Sequence, residues 1–303
     1  MQNGQSLKND LTHENTIEPF VGIFDCFSAT IGARFSNNLF YSGFGFAASH
    51  YGLPDNGYIS WSDMLQAVWR VRQILPAHRM LVDIDDGYAD TQVACRVTRE
   101  LETMGAAMVM LEDQARPRRC GHVDGKIVLP LNEYLAKLNA VLDHRHSICV
   151  LARTDASGDE MYRRVEAIQK TEADAVLVDG IASLEALRKV RSLTDKPVAF
   201  NQMAGGKSPR LSACELRAER VALHIYSTPM LLAAQAAMQT AMEEIMSADG
   251  RLPATTDGVH LAAKDCILAL QGNVEADPTH LMEALNEAEA LLRMNYAALN
   301  RVS

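Results

Sequence analysis

The hydrophobic residues of this chain fall in short runs that are separated by longer segments of mixed polarity. Each run is rich in Val, Ile, Leu and Phe, as expected for parallel strands whose two faces are both buried. The pattern predicts eight strands, at residues 20–24, 39–43, 80–84, 108–112, 148–152, 175–179, 197–201 and 221–227.

The segments between these runs repeat their apolar residues with the period of an α-helix. Residues 91–104 place apolar side chains four positions apart, and Gly105 stands where such a helix would end. Polar residues also precede the next two helical patterns, where an N-cap is expected. These helices are predicted at residues 159–171, capped by Asp159, and at residues 183–192, capped by Ser183.

Eight strands, most of them followed by a helix, predict an α/β protein with a (β/α)₈ TIM barrel. A doubly wound sheet is the alternative, because periodicity alone does not show that a sheet closes. Additional helical stretches follow the eighth strand, and a minimal barrel does not need them. They lie at about residues 229–247, 258–271 and 279–300.

The chain shows no internal repeat and no clear domain boundary. Residues 1–17 are polar and are predicted to form a flexible N-terminal tail. Residues 18–303 are predicted to form a single barrel domain, with C-terminal oligomerisation helices from about residue 229.

Composition and charge narrow the possible partners. The net charge of −9 at pH 7 argues against a protein that binds nucleic acid or an anionic membrane. No apolar run approaches the roughly 20 residues of a membrane span, and the polar N-terminus lacks a signal peptide. The six cysteines form no CxxC pair, which predicts free thiols in a reducing cytoplasm. We therefore expect a cytoplasmic protein that acts on a small molecule.

Acidic residues follow two neighbouring predicted strands. Asp83 and Asp85 alternate onto one side of the third strand, and the fourth strand ends in Glu112 and Asp113. Carboxylates held side by side repel one another unless a cation lies between them or one is protonated. Oxygen ligands of this kind suit Mg²⁺ or Mn²⁺. A single acidic turn would be read as a solvated turn with a helix cap, but the second acidic strand end favours a metal site.

Two further strand ends carry groups that suit an anionic substrate. After the second strand, Ser42, Gly43 and Phe44 form a glycine-rich turn whose backbone N–H groups can face an anion. In the fifth strand, Arg153 and Asp155 alternate onto one face. Arg153 either binds a substrate carboxylate with its two-pronged guanidinium or forms a structural ion pair across the barrel mouth.

Five motifs follow one another along most of the chain: "SGFGFAASHYGLPD", "VDIDDGY", "LEDQARPRRCGH", "LARTDA" and "FNQMAGGKSP". Together they resemble the isocitrate lyase/phosphoenolpyruvate mutase superfamily. The resemblance implies a (β/α)₈ barrel whose terminal helix is exchanged between paired subunits, commonly in a homotetramer of two helix-swapped dimers. It also implies that residues 114–127 form a mobile gating loop that closes over the substrate.

The resemblance further implies roles for individual residues. Mg²⁺ (or Mn²⁺) would be held, largely through water, by Asp83, Asp85 and Glu112. The substrate, a 2-oxo or 2-hydroxy acid, would be bound by Ser42, Gly43, Phe44, Asp55, Arg153 and Asn201. Catalysis would fall to Cys120, Arg153, His122 and Glu112. The chain departs from the usual lyases of the superfamily at Asp179, where they carry glutamate.

The reaction implied by the resemblance is cleavage of a carbon–carbon bond in a 2-hydroxy di- or tricarboxylate of the alkylmalate or methylisocitrate type. It yields a 2-oxo acid and a carboxylic acid through an enolate. The alternatives are a mutase or hydrolase that acts on a carbon–phosphorus bond, and an oxaloacetate-type decarboxylase. An inactive barrel that serves only as a scaffold is disfavoured by the intact motifs. The sequence does not choose between Tyr41 and Tyr88 as the base.

The lone Cys120 of the gating loop gains a role from the resemblance, as the proton donor to the departing carbanion. Its neighbours Arg118 and Arg119 are predicted to lower its pKa and to attract an anionic substrate. His122 is predicted to relay the proton. The alternative is a free loop thiol without function.

Overall fold

The computed structural model describes residues 2–13, 16–252 and 270. Within these residues, eight parallel strands form a closed barrel. Each strand pairs with the next one along the chain, and the eighth pairs with the first. This closure confirms the predicted (β/α)₈ barrel and excludes the doubly wound sheet. The strands are β1 Glu18–Ile23, β2 Asn38–Tyr41, β3 Arg79–Asp83, β4 Met108–Glu112, β5 Cys149–Thr154, β6 Ala175–Val178, β7 Val198–Gln202 and β8 Val221–Tyr226.

Helices alternate with these strands, and a π-helical turn, Ala47–Tyr51, follows the third helix. The α-helices are α1 Gln2–Leu11, α2 Cys26–Gly32, α3 Gly43–Phe46, α4 Trp61–Ile74, α5 Thr91–Thr103, α6 Leu131–His144, α7 Asp159–Gln169, α8 Leu184–Ser192, α9 Ala213–Ala218 and α10 Pro229–Ser247. The predicted strands and helices between residues 20 and 227 are thus confirmed, with ends shifted by a few residues.

The two predicted N-caps had different outcomes. Ser183 caps α8, because its side chain accepts a hydrogen bond of 3.1 Å from the Ala186 N–H. Asp159 was predicted wrongly, since it is the first residue of α7 and Gly158 precedes it as the cap. Gly158 has φ +60, a backbone conformation that glycine adopts more easily than aspartate.

The interior of the barrel is apolar and is closed by the N-terminal helix. Leu7 and Leu11 of α1 belong to the same buried cluster as the inward-facing strand residues Leu81, Leu151 and Leu223. The helix docks closely, because a Cβ atom added at Gly4 would lie 2.3 Å from the Ser147 carbonyl oxygen. The prediction of a flexible tail is therefore wrong for residues 2–11. Two leucines one helical turn apart gave the segment an apolar face that its polar composition concealed.

The chain forms two compact units, residues 1–229 and residues 230–303. Most of α10 lies in the second unit, where Met238, Met242 and Met246 recur every four residues and are exposed. The helices predicted at residues 258–271 and 279–300 lie outside the described residues, apart from residue 270. The oligomerisation role of the C-terminal helices therefore stays a prediction. In the part of the chain that is described, no helix is long and apolar enough to cross a membrane.

Candidate active site

The acidic pair after β3 is brought together by a left-handed turn. β3 ends at Asp83, so the predicted alternation of both aspartates along a strand is wrong. Asp85 has φ +50, and Gly87 and Tyr88 follow with φ +74 and +59. This turn folds Asp85 back until its N–H donates a hydrogen bond of 3.1 Å to Asp83 Oδ1. Non-glycine residues in this region are strained, and such strain is commonly found at functional sites.

The glycine-rich turn after β2 packs directly against this acidic pair. The Ser42 side chain caps α3 by accepting a hydrogen bond of 3.1 Å from the Gly45 N–H. A Cβ atom at Gly43 would lie 3.0 Å from Asp85 Oδ1 and 3.2 Å from Asp83 Oδ2. The structure therefore brings the predicted substrate turn to the predicted metal ligands, and little space remains for a side chain at residue 43.

Arg153 of β5 lies at the centre of a buried group of carboxylates. Its Nε is 2.8 Å from Asp155 Oδ2, and its Nη2 is 2.8 Å from Asp179 Oδ2 and 3.2 Å from Glu112 Oε2. Burial lowers the pKa of Arg153, but the three carboxylates outweigh it and hold that pKa well above its ordinary value. Arg153 thus forms ion pairs that keep its charge at the barrel mouth, and its binding of a substrate carboxylate stays a prediction.

Residues 114–127, which we call the lid, cover the carboxyl ends of the strands. The two ends of the lid meet in a short antiparallel bridge between Gln114 and Val128. The Gln114 side chain also donates to the Arg119 carbonyl at 2.7 Å and accepts from the Arg119 N–H at 2.9 Å. At the far side of the lid, Lys126 forms an ion pair of 3.0 Å with Asp155. These contacts hold the lid over the carboxyl ends of the strands in this structure.

Arg118 of the lid makes contacts that the sequence did not predict. Its side chain is 1% exposed, and it forms ion pairs with Asp55, with Glu112 at 2.8 Å and with Asp85 at 3.1 Å. Burial lowers the pKa of Arg118, but these carboxylates raise it well above its ordinary value. The only signal in the sequence was a basic residue in a gating loop, which does not say what the residue contacts.

Cys120 belongs to the lid, and its acidity differs from the prediction. Burial, and after it the charges of Asp55 and Asp179, raise the pKa of its thiol to about 11. The predicted lowering by Arg118 and Arg119 is wrong, because Arg118 turns away to its carboxylates and Arg119 is exposed to solvent. The thiol is therefore protonated at neutral pH, which is the form that a proton donor requires.

His122 and Asn201 meet at Asp179. His122 Nδ1 accepts a hydrogen bond of 3.1 Å from the Lys207 N–H, so the neutral ring carries its proton on Nε2, 3.5 Å from Asp179 Oδ1. Asn201 donates to the same oxygen at 2.8 Å. Burial by itself would raise the pKa of Asp179, but Arg153 and these donors hold it below its ordinary value. Asp179, whose side chain is shorter than the glutamate of the usual lyases, thus contacts Arg153, His122 and Asn201.

The carboxylates near Arg118 fit a hard cation such as Mg²⁺. Asp85 Oδ1 and Glu112 Oε2 are buried and accept no hydrogen bond, although an arginine Nη2 lies 3.1 and 3.2 Å away, respectively. Burial raises the pKa of Asp83 and Asp85, and it raises that of Glu112 to about 8. Among the described residues no three His, Cys, Asp or Glu side chains are arranged to hold an ion directly. A cation held largely through water would explain both the carboxylate oxygens that accept no hydrogen bond and the lack of a direct ligand set among the described residues.

Neither tyrosine considered as a base is ionised. The Tyr41 hydroxyl donates a hydrogen bond of 3.2 Å to the Phe24 carbonyl, and burial raises the pKa of Tyr41. The Tyr88 hydroxyl is buried without a hydrogen-bond partner, and burial together with Asp85 and Asp83 raises its pKa well above the ordinary value. Both phenols stay protonated at neutral pH, which disfavours either one as a base in this state.

Comparison with known proteins places this site in context. The family model for phosphoenolpyruvate phosphomutase matches residues 7–246. The 2,3-dimethylmalate lyase of Eubacterium barkeri is 30% identical over 226 residues, which are 72% of this chain and 77% of that protein. The 2-methylisocitrate lyase of Salmonella typhimurium is 30% identical over 250 residues, which are 80% of this chain and 83% of that protein.

Solved structures resemble the whole fold. A crystal structure of 2,3-dimethylmalate lyase superposes with a TM-score of 0.79 at 27% identity, and the match covers 98% of this chain and 96% of that chain. A structure of oxaloacetate acetylhydrolase in complex with the inhibitor 3,3-difluorooxalacetate has a TM-score of 0.78 at 25% identity, with 98% and 97% of the two chains covered.

Proposed function

This chain belongs to the phosphoenolpyruvate phosphomutase family, and from that premise we propose that it is a Mg²⁺-dependent carbon–carbon lyase. The proposed substrate is a 2-hydroxy di- or tricarboxylate of the alkylmalate or methylisocitrate type. The products are a 2-oxo acid and a carboxylic acid. The relatives named above as 2,3-dimethylmalate lyase and 2-methylisocitrate lyase support the reaction class.

The observation that carries the proposal is the thiol of Cys120, which the lid holds near Asp55 and Asp179 with its pKa raised. Cleavage begins when a base removes the proton of the substrate hydroxyl group. The bond between C2 and C3 then breaks, C2 becomes the carbonyl carbon of the 2-oxo acid, and the electron pair passes to C3. A proton donor must neutralise C3, and a thiol whose pKa is raised to about 11 still holds its proton at neutral pH.

Positioning falls to the residues around the thiol. The backbone of Ser42, Gly43 and Phe44 would receive the carboxylate of the 2-oxo acid part, next to Asp83 and Asp85. Arg153 and Asn201 would orient the second half of the substrate, because Arg153 lies beside the lid residue Gly121 and Asn201 lies beside the lid residue His122. The closed lid excludes water, which would otherwise protonate the carbanion without control.

The cation would be held by Asp83, Asp85 and Glu112, with Asp55 close by. When bound, it would supply Lewis-acid stabilisation of the negative oxygen that develops during cleavage. The raised pKa values of Asp83, Asp85 and Glu112 support this assignment, since a cation would favour the ionised form of each carboxylate.

A second candidate function is hydrolysis of oxaloacetate, which is supported by the similarity to oxaloacetate acetylhydrolase across 98% of this chain. The lid thiol does not separate the two reactions, because cleavage of oxaloacetate between C2 and C3 also leaves a carbanion that needs a proton. The lyase is favoured by the relatives named as lyases, which are 30% identical to this chain. A mutase acting on a carbon–phosphorus bond is a third candidate, and a decarboxylase acting on oxaloacetate is a fourth.

We further propose a cytoplasmic homotetramer built from helix-swapped dimers, in keeping with the predicted role of the C-terminal helices.

A substrate panel tests the proposal. The purified protein is incubated with Mg²⁺ and alkylmalates, methylisocitrate, oxaloacetate or phosphonopyruvate, and the released 2-oxo acid is measured. We expect release from a 2-hydroxy acid and loss of activity with EDTA. Cleavage of oxaloacetate alone, or rearrangement of phosphonopyruvate in phosphorus NMR without release from any hydroxy acid, would replace the lyase with one of its rivals. Full activity in EDTA would remove the metal assignment.

A further inference from the structure

Arg118 occupies the position that a cation would be expected to take among the site carboxylates. Its guanidinium makes ion pairs with Asp55, Asp85 and Glu112, and two of these three residues are proposed metal ligands. Its Nη2 nevertheless donates no hydrogen bond with acceptable geometry, and Asp85 Oδ1 accepts none. The pairing between Arg118 and Asp85 is therefore electrostatic and imperfectly matched, as expected for a temporary counter-ion.

This counter-ion is one of the contacts that hold the lid over the barrel. Arg118 is the largest fully buried side chain of the lid, and the backbone at Gly57 approaches it so closely that a Cβ atom there would lie 2.9 Å from Arg118 Cγ. A divalent cation beside Asp85 and Glu112 would repel the guanidinium at short range, and a buried site screens this repulsion poorly. The lid cannot stay fully closed on Arg118 while a divalent cation shares its carboxylates.

We propose that Arg118 and the divalent cation compete for the Asp85 and Glu112 carboxylates, so that the cation loosens the closed lid before substrate binds. This inference rests on the proposed function, from which it takes the cation. Because linkage between two binding events is reciprocal, the lid also weakens the affinity of the site for the cation. An anionic substrate then supplies new carboxylates for Arg118 and lets the lid close again. The order of binding is metal first and substrate second.

Metal affinity in the absence of substrate gives the first test. Binding of Mn²⁺ is measured by electron paramagnetic resonance of the free ion, for the wild type, Arg118→Met and Arg119→Met. Arg118→Met should lower the Kd for Mn²⁺ at least fivefold, because it removes the competing charge. Arg119→Met removes the same charge from the neighbouring exposed residue and should stay within twofold of the wild type.

Two results of this measurement overturn the competition. One is a Kd for Arg118→Met within twofold of the wild type, or no Mn²⁺ binding by either protein. The other is equal tightening by both variants, which would show an effect of net charge alone. Circular dichroism establishes that each variant is folded.

The lid of the wild-type protein gives a second test that needs no variant at Arg118. Trypsin cleaves after Arg119, and the rate of cleavage at that bond reports how often the lid opens. Mn²⁺ without substrate should speed this cleavage at least threefold in the wild type and leave it unchanged in Asp85→Asn. Asparagine tolerates the left-handed backbone of residue 85, so this variant loses the charge while keeping the turn. Unchanged or slower cleavage of the wild type with Mn²⁺ contradicts the proposal.

These measurements stay separate from the proposed function. Both are made without substrate, so they give the same result whichever reaction the protein catalyses. If the protein cleaves a hydroxy acid but Arg118→Met leaves the affinity for Mn²⁺ unchanged, the inference is wrong and the proposed lyase activity is supported. If the competition is observed and no hydroxy acid is cleaved, the lyase fails and the inference stands.

Discussion

Single side chains under the lid decide what chemistry this barrel mouth supports. Cys120 is half-buried near Asp55 and Asp179, and the combination of partial burial and negative charge keeps its thiol protonated. A thiol that stays protonated is a poor nucleophile and a suitable acid. The residue therefore fits proton donation to carbon better than covalent catalysis.

Replacing Cys120 should abolish most of the activity. We expect Cys120→Ala and Cys120→Ser to lower kcat by about 10²-fold or more, because general acid catalysis contributes roughly 10²- to 10⁴-fold. The wild-type rate should fall as the pH approaches the thiol pKa of about 11, where the acid form is lost. Steady-state release of the 2-oxo acid measures both effects. Cys214→Ala, at an exposed cysteine, is the control, and turnover of Cys120→Ala within threefold of the wild type would refute the role.

Gly121 is the point at which the lid touches the ion-paired group. A Cβ atom there would lie 1.9 Å from Asp179 Oδ2 and 2.6 Å from Arg153 Nη2, so a side chain at this position keeps the lid from closing. We expect Gly121→Ala to lower kcat at least tenfold while the melting temperature changes little, since the clash is confined to the lid. Val123→Ala, at an exposed lid residue, should behave as the wild type. Normal turnover by Gly121→Ala would show that closure does not need this contact.

Residue-level prediction from the sequence succeeded where a strand end fixed the position. Glu112 and Arg153 are the neighbouring ends of β4 and β5, and the register pairs them directly. Prediction failed at Arg118, since the contacts of a lid residue depend on how the lid folds over the barrel. It failed also for the pKa of Cys120, because adjacency to arginines in sequence does not mean proximity of charge.

At the scale of elements, one carboxylate connects the end of α5 to the loop that precedes β5. We call this contact the α5–β5 joint. Glu102, in the last turn of α5, accepts backbone N–H bonds of 3.0 Å from His146 and 2.9 Å from Ile148, and another from Ser147. Burial alone would raise the pKa of Glu102, but these three donors hold it below 4.5. The carboxylate thereby fixes the loop that leads into β5.

This joint gives a stability prediction with a definite pH dependence. At pH 7, Glu102→Gln should lower the free energy of unfolding by about 1–3 kcal/mol, because buried N–H donors lose their charged acceptor. A depressed pKa stabilises the folded state above the unfolded value of 4.5, and this stabilisation is lost as the pH falls through the folded pKa. Urea unfolding at pH 7 and pH 3.5 should show the difference between the two proteins shrinking at low pH. A difference that is the same at both values would contradict the charge-based explanation.

The helices and strands also show where a local sequence pattern predicts structure well and where it does not. The uniform apolar runs predicted all eight strands, because a strand buried on both faces leaves a strong signal. Helix α1 was missed, since Leu7 and Leu11 are separated by polar residues and the burial of these leucines comes only from the closed barrel.

At the scale of the whole molecule, the barrel mouth carries an excess of negative charge. Seven buried carboxylates meet four basic partners there: Asp55, Asp83, Asp85, Asp86, Glu112, Asp155 and Asp179 against Arg116, Arg118, Lys126 and Arg153. Full ionisation would leave three uncompensated negative charges in a buried site, which is costly, and the pKa values of Asp83, Asp85 and Glu112 are accordingly raised. A divalent cation would offset most of this charge, so metal binding should stabilise the folded protein.

We therefore expect Mg²⁺ to raise the melting temperature of the wild type by at least about 2 °C when it saturates the site, since a ligand that binds only the folded state stabilises that state. Asp85→Asn should lose most of this increase. Differential scanning calorimetry measures the effect, with NaCl at equal ionic strength as the control. An equal increase with NaCl would mean that the charges are screened without a specific site.

The sequence by itself determined the number of strands, the barrel they imply and most residues at the strand ends, because burial imposes a local pattern that the chain must carry. Only the tertiary structure decided the contacts of Arg118, the state of Cys120, the partners of Asp179 and the docking of α1. Each of these depends on segments far apart in the chain, and on the charge and burial that exist only once the barrel has closed and the lid lies over it.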